Sequence, residues 1–267
     1  MRALRDLDEA YLPGLSVAPG PYLDRYAELS AQARAMLSWR DVAYGPGDAE
    51  RLHYFPAPRP AAPLLVFVHG GYWQELTEAE SSFAAPGVVA RGWAFAALGY
   101  GLAPAHRLDE IVAMARRGVT WLYDNAAALG FDPDRIVLAG HSAGAQLAAM
   151  CFDAVPVRAA VLVSGLYELD PLLATSIGAA IRLSPDEAAR NSPARRLPPG
   201  TPPLLAACGA DEPAGFAEQQ DLLVAAARAA RVPLETVIVP SRHHFDLPLG
   251  LADPDDPLGK RVLAILD

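Results

Sequence analysis

Cysteine is scarce, with only Cys151 and Cys208 in 267 residues. Each lies inside an apolar run and neither stands in a CxxC or Cys/His spacing, so no disulfide framework is expected and a reducing, cytoplasmic compartment fits best. Positive charge is short as well: 22 Lys plus Arg stand against 31 Asp plus Glu, a formal net charge of −9. Without a basic stripe to neutralise phosphates, nucleic acid is excluded as an expected partner. Long hydrophobic runs are missing too. Leu64 to Val68 is five residues long and is bounded by prolines and a His-Gly-Gly turn, which suits a buried strand and is far too short to span a membrane. Met1 to Tyr11 alternates charged residues with Leu and Ala, unlike a secretory leader, so the mature chain is expected to start at Met1 and no membrane partner is expected.

What is present is an ordinary globular composition, 52% hydrophobic and 20% charged, long enough to bury a core without staples. The spacing of Tyr22, Leu23, Tyr26, Leu29, Ala33, Met36 and Leu37 predicts a helix over 22–37, with Pro21 in its first turn. Two short strands, Trp39 to Tyr44 and Arg51 to Phe55, flank the turn formers Gly45-Pro46-Gly47-Asp48 and read as an antiparallel hairpin.

From Leu64 onward, short apolar runs alternate with glycine turns and longer helical patterns. Strands are predicted at 64–68, 93–98, 135–139, 159–163, 203–208 and 234–239, and helices near 79–90, 108–129, 143–152, 216–230 and 257–266. This alternation predicts an α/β fold, a mostly parallel twisted sheet of about eight strands with helices on both faces, in a single domain over 1–267. Residues 167–199 exceed a simple crossover and are expected to form a small lid or cap insertion.

The strongest chemical signal is Gly140-His141-Ser142-Ala143-Gly144 between a strand and a helix. In that context the glycines permit a tight turn that exposes the Ser142 hydroxyl, and Ala143 offers a backbone N–H at a helix N-terminus. His69-Gly70-Gly71-Tyr72-Trp73 directly follows the strand 64–68; its backbone N–H groups at Gly71 and Tyr72, with that of Ala143, are candidate oxyanion donors. His69 is read as fixing that loop. Trp73 is a candidate substrate-binding residue, with packing beneath the loop as the alternative.

A nucleophilic serine needs a base and an orienting acid further along the chain, each after a later strand. Pro240-Ser241-Arg242-His243-His244-Phe245 supplies two histidines, and Gly209-Ala210-Asp211-Glu212 supplies two carboxylates; spacing alone leaves both choices open. His243 and His244 are adjacent, His53 and His106 stand alone, and no HxxxH or HxH occurs, so no metal is expected. No cofactor is expected either, and the implied partner is a small-molecule substrate. A homodimer is compatible with the chain, which does not itself specify an oligomeric state.

Together these motifs resemble the α/β-hydrolases, and more narrowly the kynurenine formamidase (arylformamidase) family near the hormone-sensitive-lipase-like esterases. The residues that carry the resemblance are His69 to Trp73, Tyr100-Gly101-Leu102-Ala103-Pro104 with glycine where the esterases have arginine, 140–148, Ser164 to Leu169, and Asn191-Ser192-Pro193. The resemblance implies a catalytic set of Ser142, Glu212 and His244, with Asp211 and His243 as the second choices. It also implies acyl transfer on N-formylkynurenine, giving kynurenine and formate; a carboxylesterase acting on short-chain or aryl esters is the alternative, and a catalytically silent binding protein a third.

Overall fold

The computed structural model describes residues 2–266, and side chains from Asp6 onward; Met1, the expected start, lies outside the described residues. Eight strands form one sheet: β1 Arg40–Ala43, β2 Arg51–Phe55, β3 Ala62–Val68, β4 Ala94–Leu98, β5 Phe131–His141, β6 Ala159–Val163, β7 Leu204–Gly209 and β8 Leu234–Val239. Their spatial order is β1-β2-β4-β3-β5-β6-β7-β8. β2 runs antiparallel to both neighbours, forming the expected hairpin with β1, and every pairing from β4 to β8 is parallel.

The helices are α1 Arg2–Tyr11, α2 Gly20–Met36, α3 Ala85–Ala90, α4 Leu108–Asp124, α5 Ala126–Leu129, α6 Ala143–Ala149, α7 Ser176–Ala180, α8 Pro185–Arg190, α9 Ala214–Ala230 and α10 Pro257–Leu266. Alternation along the central strands divides the interior in two. Leu64, Val66 and Val68 of β3 enter a core with residues of α4, α6 and α9, while Leu65 and Phe67 enter a second core with residues of α2, α3 and α10. Both faces of the sheet are thus covered, which is why the strands read as nearly unbroken apolar runs. Each fully buried Leu, Val or Phe contributes roughly 1.5–3 kcal/mol.

Three expectations change. The helix over 79–90 is a 3-10 turn at Glu78–Glu80 followed by α3, which begins at Ala85 so that Pro86 falls in its first turn, where its missing N–H costs nothing. The helix over 108–129 breaks at Asn125, whose amide donates to the Trp121 carbonyl at 2.8 Å, a local bond that competes with helix continuation. The first ten residues after Met1 form α1, for which no helix was predicted.

Residues 167–199 hold two 3-10 turns, α7 and α8. The segment is anchored by Arg107 to Glu187 and by Asn191 Nδ2 donating to Asp109 Oδ1 at 2.7 Å. Of its residues, Ile177 reaches the cavity described below.

Candidate active site

Ser142 stands between the end of β5 and the start of α6, with φ 55° and ψ −122°. A non-glycine residue held there stores on the order of 1–3 kcal/mol of backbone strain. The turn is held by hydrogen bonds on both sides: Ser142 N–H donates to Val163 O at 2.8 Å, and Ser142 O accepts from Ala145 N–H at 3.0 Å. The two flanking glycines are steric requirements. A Cβ on Gly140 would lie 2.2 Å from Gly144 O, and one on Gly144 would lie 2.1 Å from Val68 O. The Ser142 hydroxyl is buried and makes no hydrogen bond among the described residues.

The loop after β3 approaches this turn closely. Gly71, Tyr72 and Trp73 all adopt positive φ, at 91°, 49° and 59°, and a Cβ on Gly71 would meet Glu75 O at 2.4 Å. The His69 ring stacks on Tyr100 at 4.1 Å, and the Tyr100 hydroxyl donates to His69 O at 2.8 Å. Burial lowers the His69 pKa to about 4, although the adjacent Gly70 carbonyl opposes that shift, so the ring is neutral and props the loop. The Tyr72 hydroxyl donates to the Tyr11 carbonyl. Among the described residues no acceptor takes the backbone N–H of Gly71, Tyr72 or Ala143.

Trp73 is fully buried, does not line the cavity, and donates its indole N–H to Gln146 Oε1 at 3.2 Å. Gln146 in turn donates to Asn191 O at 2.9 Å. Trp73 therefore packs beneath the loop and ties it to α6 and the 167–199 segment; an apolar indole body with one polar handle suits that role.

The histidine loop follows β8. His244 Nδ1 pairs with Glu212 Oε2 at 2.7 Å, and both side chains are buried, 4% and 1% exposed. The other carboxylate oxygen accepts from Ser164 Oγ at 2.6 Å and from Gly209 N–H at 2.7 Å. Burial acts to raise the Glu212 pKa, but the His244 charge and the hydrogen bonds from His244, Ser164 and Gly209 outweigh it and hold the carboxyl below its usual range. With Nδ1 committed to Glu212, Nε2 is the ring nitrogen left for the cavity. The ring is flanked by Phe216 at 4.3 Å and His141 at 4.6 Å.

Of the two candidate histidines, His243 turns toward α2. It meets Tyr22 edge-on at 4.6 Å, and its Nδ1 accepts the Phe245 N–H at 3.2 Å. Of the two candidate acids, Asp211 is exposed, while Glu212 points inward. Arg242, paired with Asp256 and with Asp246 at 3.4 Å, clamps the loop that carries His244.

Ser142 and His244 line one cavity of about 200 Å³. Its outer wall comes from the N-terminal region, through Leu12, Pro13, Leu23 and Tyr26, together with Ile177 and Phe245. Tyr26 also donates to the Phe245 carbonyl, joining α2 to the histidine loop. These wall residues carry no motif, and sequence reasoning missed them. It also missed Ser164, which has positive φ, 50°, and is buried; the signal available was its place in Ser164-Gly165 directly after a predicted strand.

A strained serine between strand and helix, beneath a glycine loop and beside an imidazole–carboxylate pair, on an eight-stranded mostly parallel sheet, defines an enzyme of the α/β-hydrolase class. Comparisons with known proteins narrow this. Residues 53–154 match the BD-FAE family. The chain is 32% identical over 241 residues to a kynurenine formamidase of Danio rerio, covering 85% of this chain and 81% of that one. It superposes with a TM-score of 0.86 and 33% identity on a solved structure provisionally described as a thioesterase from Silicibacter sp. TM1040, covering 96% and 98% of the two chains. It is also 32% identical over 138 residues to the esterase LipQ of Mycobacterium tuberculosis, covering 49% of this chain and 30% of that one. The chain belongs to the kynurenine formamidase family of α/β-hydrolases. No helix among the described residues is long and apolar enough to cross a membrane.

Proposed function

We propose that the chain is a serine hydrolase that removes a formyl group from an aryl amide, with N-formylkynurenine as substrate and kynurenine and formate as products. In this reading Ser142 is the nucleophile, His244 the general base and acid, Glu212 the group that orients the ring, and the N–H groups of Gly71, Tyr72 and Ala143 the oxyanion donors. The observation that carries it is the buried His244–Glu212 pair at 2.7 Å, on the same cavity as the strained Ser142.

The steps follow from the groups present. Ser142 Oγ adds to the formyl carbon while His244 Nε2 takes its proton, and the carbonyl oxygen gains the negative charge that the backbone donors meet. Each such donor is worth about 3 kcal/mol of barrier. The C–N bond then breaks as His244 returns the proton to the aryl amine, which leaves more readily than an alkyl amine because its nitrogen lone pair delocalises into the ring. Water, deprotonated by the same imidazole, cleaves the formyl-serine ester and releases formate. Glu212 keeps His244 in the working tautomer throughout.

The substrate assignment is supported by the similarity to the Danio rerio kynurenine formamidase over most of both chains. A second reading, an esterase for short acyl groups, is favoured by the matches to the esterase LipQ and to the structure described as a thioesterase. Initial rates on N-formylkynurenine, phenyl acetate and phenyl butyrate separate the two. The proposal expects the formamide to have the highest kcat/KM; a marked preference for the butyrate overturns it in favour of the esterase.

A further inference from the structure

Charge in the cavity is one-sided. Its described lining residues include the acidic Glu75 and no Lys or Arg. Glu75 is exposed, and its side chain makes no hydrogen bond or ion pair among the described residues. Its placement is fixed from the main chain: Glu75 N–H donates to Gly71 O at 3.1 Å, and a Cβ built on Gly71 would lie 3.1 Å from Glu75 Cβ. Glu75 is therefore held to the same turn that presents the candidate oxyanion donors. The chain as a whole carries −9.

We infer that Glu75 is a specificity residue that receives a cationic ammonium at the far end of the aryl substrate, and that the cavity makes no charge-paired contact with a carboxylate. The inference rests on the reading of this cavity as the substrate site and extends it to the substrate's charge. An amino-acid side chain on the aryl ring would present its ammonium to Glu75 and leave its carboxylate in water at the mouth. An otherwise identical substrate lacking that carboxylate is then bound at least as well. An exposed charge pair supports a preference of about three- to fivefold at low salt, shrinking as salt is added.

The test uses two matched series. The first holds 2-formamidophenyl ketones whose side chain ends in an ammonium, in ammonium plus carboxylate, or uncharged. The second holds aryl acetates whose ring bears an aminoethyl, an ethyl or a carboxyethyl group. Each is measured as kcat/KM at low and high salt, in the native enzyme and in Glu75→Gln. The expected result is a three- to fivefold advantage of the ammonium compound over its uncharged partner, lost in Glu75→Gln and at high salt, with the carboxylate-only acetate slowest. A ratio that survives Glu75→Gln, or a carboxylate compound that outruns its ammonium partner, overturns the inference. Failure to cleave any formamide would instead remove the formamidase reading, while the acetate series would still report the charge preference.

Discussion

Replacing Ser142 by glycine is expected to stabilise the protein while removing its activity. Ser142 is held at φ 55°, ψ −122°, a conformation that a residue with a Cβ occupies at a cost of about 2 kcal/mol and that glycine occupies freely. Glycine's greater freedom in the unfolded chain and the loss of one buried carbon offset about 1 kcal/mol of that gain. Ser142→Ala is the natural control, because both variants remove the unpartnered buried hydroxyl and only glycine releases the backbone. The glycine variant should therefore exceed the alanine variant by about 1 kcal/mol, or 2–4 °C in Tm for a chain of this size. Thermal unfolding of both, followed by far-ultraviolet circular dichroism, reads the difference directly. A glycine variant that melts at or below the alanine variant would refute the claim that the serine turn stores strain.

Three further outcomes follow from the same geometry. Ser164→Ala removes a 2.6 Å hydrogen bond to the buried Glu212 carboxylate; it should cost about 2 kcal/mol in urea unfolding and lower kcat with little change in KM. Glu212→Gln should reduce kcat by about 10³–10⁴ while Asp211→Asn stays near the native rate, as steady-state kinetics on either substrate class will show. Stability should fall on acidification: His69 has a native pKa of about 4, so between its unfolded value near 6.5 and pH 4 the unfolded chain takes up a proton that the native state refuses. From pH 7 to pH 5 this costs about 2 kcal/mol, and buried His141, also lowered by burial and by His244, acts in the same sense. The depressed Glu212 pKa adds a loss only below the usual carboxylate range. Urea midpoints at the two pH values, with His69→Gln showing a shallower change, check the sign.

The parallel sheet was legible because its strands are buried on both faces, so that runs such as Leu64 to Val68 and Ala159 to Val163 stand out from the polar turns between them. The GxSxG turn was legible for a related reason: Gly140 and Gly144 face backbone atoms that admit no Cβ. What could not be read is the cavity's outer wall. Leu12, Pro13, Leu23 and Tyr26 come to line the cavity of Ser142 only through the packing of the N-terminal region across the site. That is a long-range contact without periodic or motif trace. Trp73 was undecidable between pocket and core because its direction depends on Gln146, 73 residues later. The Glu212 and His244 choices needed family spacing, since which of two adjacent side chains points inward follows from the twist of each loop.

The central claim is that Ser142 forms a covalent acyl intermediate with the help of His244. Mixing the enzyme with 4-nitrophenyl acetate and following nitrophenolate release should give a burst approaching one equivalent per chain, with the added acetyl mass found on the peptide containing Ser142. The burst and the adduct should both vanish in Ser142→Ala and be strongly slowed in His244→Gln. A burst that persists undiminished in Ser142→Ala, or an adduct on another residue, would contradict the account.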